Sequence, residues 1–153
     1  MTPQSSRFPL RGLEALPVRD ALGLILEELD ADTGTVHKLR ADGLLHLEAH
    51  FGEIPAQLLP VIARIPVGKG MAGVAAERLE PVQTCNLQED SAGVVRPGAK
   101  ATGMRGSLCV PMMNGGRLAG VLGVAVGRER EFSDAETAWL LAVGEVLAAS
   151  DGE

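Results

Sequence analysis

Two apolar, valine-rich runs, residues 107–113 and 118–126, constrain the fold of this chain more than any other feature. The short connection Asn114-Gly115-Gly116 separates them, and glycine-containing connections of this kind are typical of β-hairpins. Both runs are apolar almost throughout, so we predict that they pair as the central strands of an antiparallel sheet. Glycines within the second run indicate close packing or bulges rather than the end of a strand.

A further hairpin is predicted earlier in the sequence. Residues 35–40 and 44–51 alternate between apolar and polar side chains, and Asp42-Gly43 lies between them. The alternation would place His46, Glu48 and His50 on one face of the second strand. We interpret that face as solvent-exposed. The alternative is a zinc or iron site, because two histidines and a carboxylate are suitable ligands.

Helical segments flank the predicted strands. Apolar residues recur at helical spacing over 18–30, and Ser133 with Glu136 forms a capping-box pattern at the start of a second long helix. Shorter helical stretches are predicted over 56–64 and 71–78. The order of these elements predicts an α+β domain, in which helices pack against an antiparallel sheet.

Length and charge narrow the classes of function. We expect residues 1–12 to be a flexible lead-in and residues 13–150 to form a single domain, since 153 residues suffice for one core. A formal net charge of −6 argues against nucleic acid as a partner. No apolar run is long enough to span a membrane, and the first residues lack a secretory signal pattern. We therefore predict a cytosolic protein without a membrane partner.

The chain contains two cysteines, Cys85 and Cys109, too few for a disulfide framework or a zinc site. We interpret both as buried, unreactive thiols; the alternative is a redox pair, if their strands are neighbours. No Ser/His/Asp or Cys/His catalytic set can be assembled from segments expected to meet. Its absence favours a binding protein over an enzyme, and no metal is expected.

A long irregular stretch, residues 87–103, is rich in glycine and proline. Loops of this length in compact domains commonly carry function, and we expect this one to be a mobile lid over a pocket. Positive charges cluster around it at Lys69, Arg96, Lys100 and Arg105. They favour an anionic ligand such as a nucleotide or a carboxylate; the alternative is that they are solvated loop charges.

The segment Gly68-Lys69-Gly70-Met71-Ala72-Gly73 matches the dinucleotide-binding pattern G-x-G-x-x-G. That pattern functions within a parallel βαβ unit, which the predicted hairpins on either side contradict. We interpret the glycines as a tight turn into a helix beside the pocket. The free N–H groups of such a helix start are candidates for contact with an anionic ligand.

Three segments together resemble the GAF domain family: IPVGKGMAGVAAERLEPVQTCNL (65–87), RGSLCVPMMNGGRLAGVLGVAVG (105–127) and REFSDAETAWLLAVGEVLA (130–148). They combine a glycine-initiated short helix, a Ser-apolar-apolar-Val-Pro strand, a Gly-Val-Leu-Gly-Val strand and a Phe-Ser-Asp-x-Glu helix start. The resemblance covers about residues 21–149. It implies a central antiparallel sheet of five or six strands, with N- and C-terminal helices on one face and a ligand pocket under loops on the other.

This sequence matches the motifs of the ligand-binding subgroups of the family only in part. Cyclic-nucleotide-binding members have an Asn-Lys, Phe and Asp-Glu pattern, but here Gly115 follows Asn114 and the acidic pair Asp134 and Glu136 is split. Bilin-binding members have a Cys-His pair in or after the long loop, and residues 87–103 contain neither.

Free methionine-(R)-sulfoxide reductases, a further subgroup, have catalytic cysteines in the helix start and just before the Ser-apolar-Val-Pro strand. Met71, Ala72 and residues 100–105 provide no cysteine at those places. The thiol chemistry of this subgroup therefore lacks its nucleophile.

We predict a cytosolic sensory or regulatory domain that binds a small anionic molecule and signals through its terminal helices to a partner, such as a kinase or a transcription regulator. The alternatives are a ligand-free dimerisation module and a diverged methionine sulfoxide reductase. The sequence specifies neither the ligand nor a cofactor. The expected ligand-binding residues are Gly68, Lys69, Gly70, Met71, Cys85, Arg96, Lys100, Arg105, Ser107 and Cys109.

The two long predicted helices, 18–30 and 133–150, have apolar residues over more than one face. One side of each can cover the sheet, and the remainder would be exposed in a monomer. We therefore predict a homodimer in which these helices pack together and against their copies.

Overall fold

The structure, a computed structural model, describes residues 12–86 and 103–149, and six strands form a single antiparallel sheet there. The strands are β1 (Thr33–Leu39), β2 (Leu44–Phe51), β3 (Arg64–Pro66), β4 (Val82–Thr84), β5 (Gly106–Asn114) and β6 (Arg117–Val126). Their order across the sheet is β3-β2-β1-β6-β5-β4. Both predicted hairpins, β1-β2 and β5-β6, are confirmed, and the pairing of β1 with β6 joins them at the centre.

The helices of the described ranges lie on both faces of this sheet. They are α1 (Val18–Leu29), α2 (Leu59–Ile62), α3 (Gly70–Arg78) and α4 (Asp134–Ala149), with short 3-10 turns at Leu13–Ala15 and Ala56–Leu58. Helices α1 and α4 cover one face, α1 over β1 and β2 and α4 over β5 and β6. Helices α2 and α3 lie on the other face. The predicted α+β arrangement is confirmed, and none of these helices is long and apolar enough to cross a membrane.

The larger of two apolar cores lies between the sheet and the terminal helices α1 and α4. Alternate strand residues such as Leu108, Val110 and Leu122 point into it, and they are fully buried. The smaller core, on the opposite face, consists of Leu45, Ile65, Met71, Ala75, Ala76, Cys109 and Val121. Burial of a large aliphatic side chain contributes about 1.5–3 kcal/mol, so most of the stability comes from the face with the terminal helices.

The start of α4 confirms the predicted capping box. The Glu136 N–H donates to Ser133 Oγ at 3.0 Å, and the Ser133 N–H donates to Glu136 Oε1 at 2.9 Å. Two N–H groups at the start of the helix are thereby satisfied by side chains three residues away in the chain.

Arg130 joins the end of α1 to the start of α4. Its Nη1 donates to the carbonyl oxygens of Leu29 at 2.7 Å and Asp30 at 3.3 Å, the last residue and the C-cap of α1. Its Nη2 donates to Glu136 Oε2 at 2.7 Å, and the guanidinium lies 4.3 Å from the centroid of the Phe132 ring. One side chain thus fixes two helix ends that are distant in sequence.

A β-bulge in β2 changes the predicted arrangement of its polar residues. Ala49 is opposite Val36 whereas Leu47 is opposite His37, so Glu48 is an extra residue without a partner in β1. Opposed residues of an antiparallel pair share a face of the sheet, and the extra residue exchanges the faces of the residues that follow it.

The prediction that His46, Glu48 and His50 share one face is therefore wrong. His46 is opposite Lys38, on the terminal-helix face, and His50 is opposite Thr35, on the other face. His46 Nε2 lies 2.8 Å from Asp42 Oδ2, and Glu48 pairs with Arg40 at 2.7 Å. No cluster that could hold a metal ion is found among the residues that the structure describes.

Candidate functional site

A cavity of about 180 Å3 lies on the sheet face opposite the terminal helices. Strands β1, β5 and β6 form its floor, and residues 53–62, β3 and the start of α3 enclose it. Its walls are mostly apolar, with Ile54, Leu58, Ile62, Ile65 and Met71 among them. An engineered cavity of about 150 Å3 binds benzene, whereas pockets for drug-sized ligands begin near about 300 Å3. This cavity therefore suits a molecule somewhat larger than benzene.

The floor exists because three neighbouring strands have small residues at the positions that face it. The pairing register aligns Thr33, Ala125 and Ser107 in one row and Thr35, Gly123 and Cys109 in the next, and all six line the cavity. A Cβ on Gly123 would lie 3.2 Å from Cys109 Sγ and 3.4 Å from Thr35 Oγ1. A single added methyl group would therefore crowd the floor.

The glycine-rich segment forms a tight turn between β3 and α3, as predicted. The Gly68 N–H donates to the Gly73 carbonyl at 2.7 Å, and Gly68 and Gly70 have φ values of +94° and +70°. A Cβ on Gly73 would lie 2.5 Å from the carbonyl oxygen of Pro66, so only glycine fits there. Because β3 pairs antiparallel with β2, the context of a dinucleotide-binding βαβ unit is absent from this part of the structure.

Five of the ten predicted ligand-binding residues line the cavity: Lys69, Gly70, Met71, Ser107 and Cys109. The other described ones, Gly68, Cys85 and Arg105, are not among its lining residues. Gly68 acts in the turn, Cys85 is exposed after β4, and Arg105 precedes β5. Arg96 and Lys100, and most of the predicted lid 87–103, lie outside the described residues.

The two cysteines differ in environment, which corrects the prediction that both are buried. Cys109 is buried on the cavity side of β5, and burial raises the pKa of its thiol to about 12. Cys85 is exposed. The residue opposite Cys109 in β4 is Val82, not Cys85, so both thiols are free. The interpretation of Cys109 as an unreactive thiol agrees with its high pKa.

His37 is the polar group most deeply placed in the cavity wall, and sequence analysis gave it no role. It lies on the cavity face of β1, is 2% exposed, and its Nε2 lies 2.9 Å from the carbonyl oxygen of Ile62 in α2. Burial lowers the pKa of His37 below its usual value; the hydrogen bond to Ile62 opposes this, and nearby His46 adds to it. The ring is consequently neutral at pH 7.

The charged residues among the described lining are Lys69 and Glu53, which are both exposed. One positive and one negative side chain at the rim give no net preference for an anion. The predicted selection of an anionic ligand therefore depends on Arg96 and Lys100, outside the described residues, and it stays a prediction.

Sequence analysis missed four of the six floor residues. Thr33, Thr35, Gly123 and Ala125 lack the charge or reactivity by which sites are usually recognised. A signal was nevertheless present, because small residues occupy alternate positions at the start of β1, the start of β5 and the end of β6. Recognising it requires the register between strands, which one sequence does not give.

A family model described as GAF domain matches residues 18–150. No curated protein matches the sequence. Among solved structures, the GAF domain of the phosphoenolpyruvate-protein phosphotransferase from Coxiella burnetii is 26% identical, with a TM-score of 0.72 over 90% of this chain and 84% of that one. The equivalent Acinetobacter domain is 20% identical, with a TM-score of 0.73 over 92% and 89%.

Enzymes share this fold as well. The free methionine-R-sulfoxide reductase of Neisseria meningitidis, solved in complex with its substrate, is 17% identical, with a TM-score of 0.74 over 92% of this chain and 84% of that one. An identity this low shows a common fold and leaves the chemistry open.

Proposed function

This chain belongs to the GAF domain family, and on that premise we propose that it is a regulatory domain that binds one small molecule in the cavity under α2 and α3. GAF domains are generally sensory or regulatory, although the fold also serves reductases. The observation that carries the proposal is the floor of small residues. Three strands leave space in register, and the side chains around that space are mostly apolar.

We expect Ala125→Leu to abolish ligand binding. Ala125 lies in the floor between Thr33 and Ser107, so a leucine there adds three carbon atoms within a cavity of about 180 Å3. Native mass spectrometry of freshly purified protein should show an additional mass on the wild type that is lost on denaturation. The same extra mass should be missing from Ala125→Leu.

The matched control is Ala138→Leu, the same substitution at an exposed position of α4. It should retain the extra mass. If the wild type itself has none, the ligand-free interaction module becomes the favoured function. If Ala125→Leu still binds the same mass, the site lies elsewhere.

Transmission through the terminal helices is the second part of the proposal. The cavity floor and the terminal-helix core are opposite faces of the same strands, so alternate residues of β1, β5 and β6 contact either the cavity or the helices. A shift of these strands on ligand binding would move α1 and α4, and Arg130 holds the ends of those helices together. A partner protein such as a kinase or a transcription regulator would read that movement.

We also propose the homodimer through α1 and α4. The structure buries much of their apolar surface, but Leu24, Trp139, Leu141 and Val146 are only partly covered. Sedimentation equilibrium at micromolar concentration should give the mass of two chains, and Leu24→Glu combined with Leu141→Glu should give the mass of one.

Leu79→Glu is the control for the dimer, because Leu79 is 52% exposed at the end of α3, on the other side of the sheet. This variant should remain dimeric. A wild type with the mass of one chain contradicts the proposal, and a dimer that survives both charged substitutions places the interface elsewhere.

We propose that the chain is not a methionine sulfoxide reductase. Cys109 is the thiol in the cavity, and with a pKa of about 12 it is almost entirely protonated at pH 7, whereas thiolate is the attacking species. We expect no thioredoxin-dependent consumption of NADPH with free methionine sulfoxide as substrate. The prediction is refuted if the protein turns over the substrate and Cys85→Ser or Cys109→Ser abolishes this activity. A known free methionine sulfoxide reductase, assayed in parallel, is the positive control.

A further inference from the structure

The imidazole of His37 bridges the floor and the wall of the cavity. It extends from β1, and its Nε2 lies 2.9 Å from the backbone carbonyl of Ile62 in α2; both residues line the cavity. A carbonyl oxygen only accepts hydrogen bonds, so Nε2 must be the protonated nitrogen. In the neutral ring that burial favours, the other nitrogen, Nδ1, then presents a lone pair.

That Nδ1 lone pair is buried without a hydrogen-bond partner. Buried polar atoms are nearly always satisfied, and each exception calls for a physical explanation. None of the described side chains donates to Nδ1, including the hydroxyl groups of Thr33, Thr35 and Ser107 that line the same cavity. A molecule in the cavity can supply a donor once the ring turns Nδ1 toward it.

We propose that His37 Nδ1 is the acceptor that selects ligands with an N–H or O–H donor, so that the cavity takes a small, largely apolar molecule, such as a nitrogen heterocycle, with one neutral donor group. This rests on the proposed function, since it specifies the ligand of the same cavity. Nδ1 itself is closed to water, so the donor reaches it as the ring pivots about the hydrogen bond from Nε2 to Ile62. A ligand without a donor would enter the apolar space but leave the lone pair unpaired.

Indole and benzothiophene are the probes that test this, because they have nearly the same shape and differ in the N–H donor. Isothermal titration should show that indole binds at least about tenfold more tightly than benzothiophene, which corresponds to the net contribution of about one hydrogen bond. In 15N-labelled protein, indole should also shift the His37 Nδ1 resonance toward lower frequency, as expected when an unprotonated imidazole nitrogen accepts a hydrogen bond. Benzothiophene should leave it in place.

His37→Phe should bring the two affinities within about twofold of each other, while His46→Phe, on the other face of the sheet, should preserve the preference for indole. The resonance measurement needs no variant, so it remains decisive if His37→Phe fails to fold. Equal binding of both probes to the wild type, with an unchanged His37 resonance, overturns the role of His37 but leaves a binding cavity. Failure of both probes to bind overturns this inference. The proposed function is tested separately, because it fails if native mass spectrometry shows no co-purified mass on the wild type.

Discussion

Replacing Arg130 by alanine is expected to lower the free energy of unfolding by about 3 kcal/mol. The substitution removes the donor to the carbonyl oxygens of Leu29 and Asp30 and breaks the 2.7 Å pair with Glu136. It also removes the guanidinium from the face of Phe132, a side chain that is 2% exposed. Urea denaturation followed by circular dichroism measures the loss.

Arg128→Ala is the matched control for Arg130. Arg128 pairs with Asp30 at 3.3 Å, but the two side chains are 52% and 91% exposed, and exposed ion pairs contribute about 0–1 kcal/mol. Arg130→Lys should recover part of the loss, because one ammonium can bind the helix-end carbonyls or Glu136 but not form the same fork. An Arg130→Ala variant no less stable than Arg128→Ala would show that the link between α1 and α4 does not contribute to stability.

Gly120→Ala is expected to cost about 3 kcal/mol, through a backbone collision rather than a lost contact. Gly120 of β6 is opposite Lys38 of β1, and a Cβ on it would overlap the carbonyl oxygen of His37. The two central strands would have to separate, because neither atom belongs to a flexible side chain. The midpoint of thermal unfolding, with the enthalpy from calorimetry, gives the change in free energy.

The control for this variant is Gly127→Ala. An added Cβ there would have its nearest neighbours at 3.6 Å and 3.7 Å, which is ordinary contact, and the position is exposed. Its stability should change by no more than about 0.5 kcal/mol. If Gly120→Ala is equally mild, the strands can part at β1-β6 without breaking the core, contrary to the packing described above.

Local signals in the sequence predicted the parts of the fold that depend on neighbouring residues. The hairpin turns at Gly43 and Gly115-Gly116 have positive φ values, a conformation that glycine adopts without strain. The Ser133 and Glu136 pair predicted the start of α4 because capping acts over three residues. These elements were correct because their energetics are local.

Features that depend on pairing between distant segments were not predictable in the same way. The bulge at Glu48 follows from how β2 fits β1, and it separated His46 from His50 although their spacing in sequence suggested one face. His37 belongs to the site because it lies on the cavity face of β1, beside the Ile62 carbonyl that α2 brings to it. Lys69, Gly70 and Met71 were identified because the glycine turn is a sequence signal, whereas Thr35 and Gly123 required the register of three strands.

The two-sided sheet has a consequence for how such a domain diversifies. Most of the apolar burial lies beneath α1 and α4, whereas the cavity occupies the other face and is surrounded by a smaller core. The side chains that shape the cavity and those that form the larger core therefore point to opposite faces of the same strands. Selection can act on recognition and on stability through different side chains of the same strand. Solved structures of 17% to 26% identity share this fold, while their names describe a reductase or domains of a phosphotransferase.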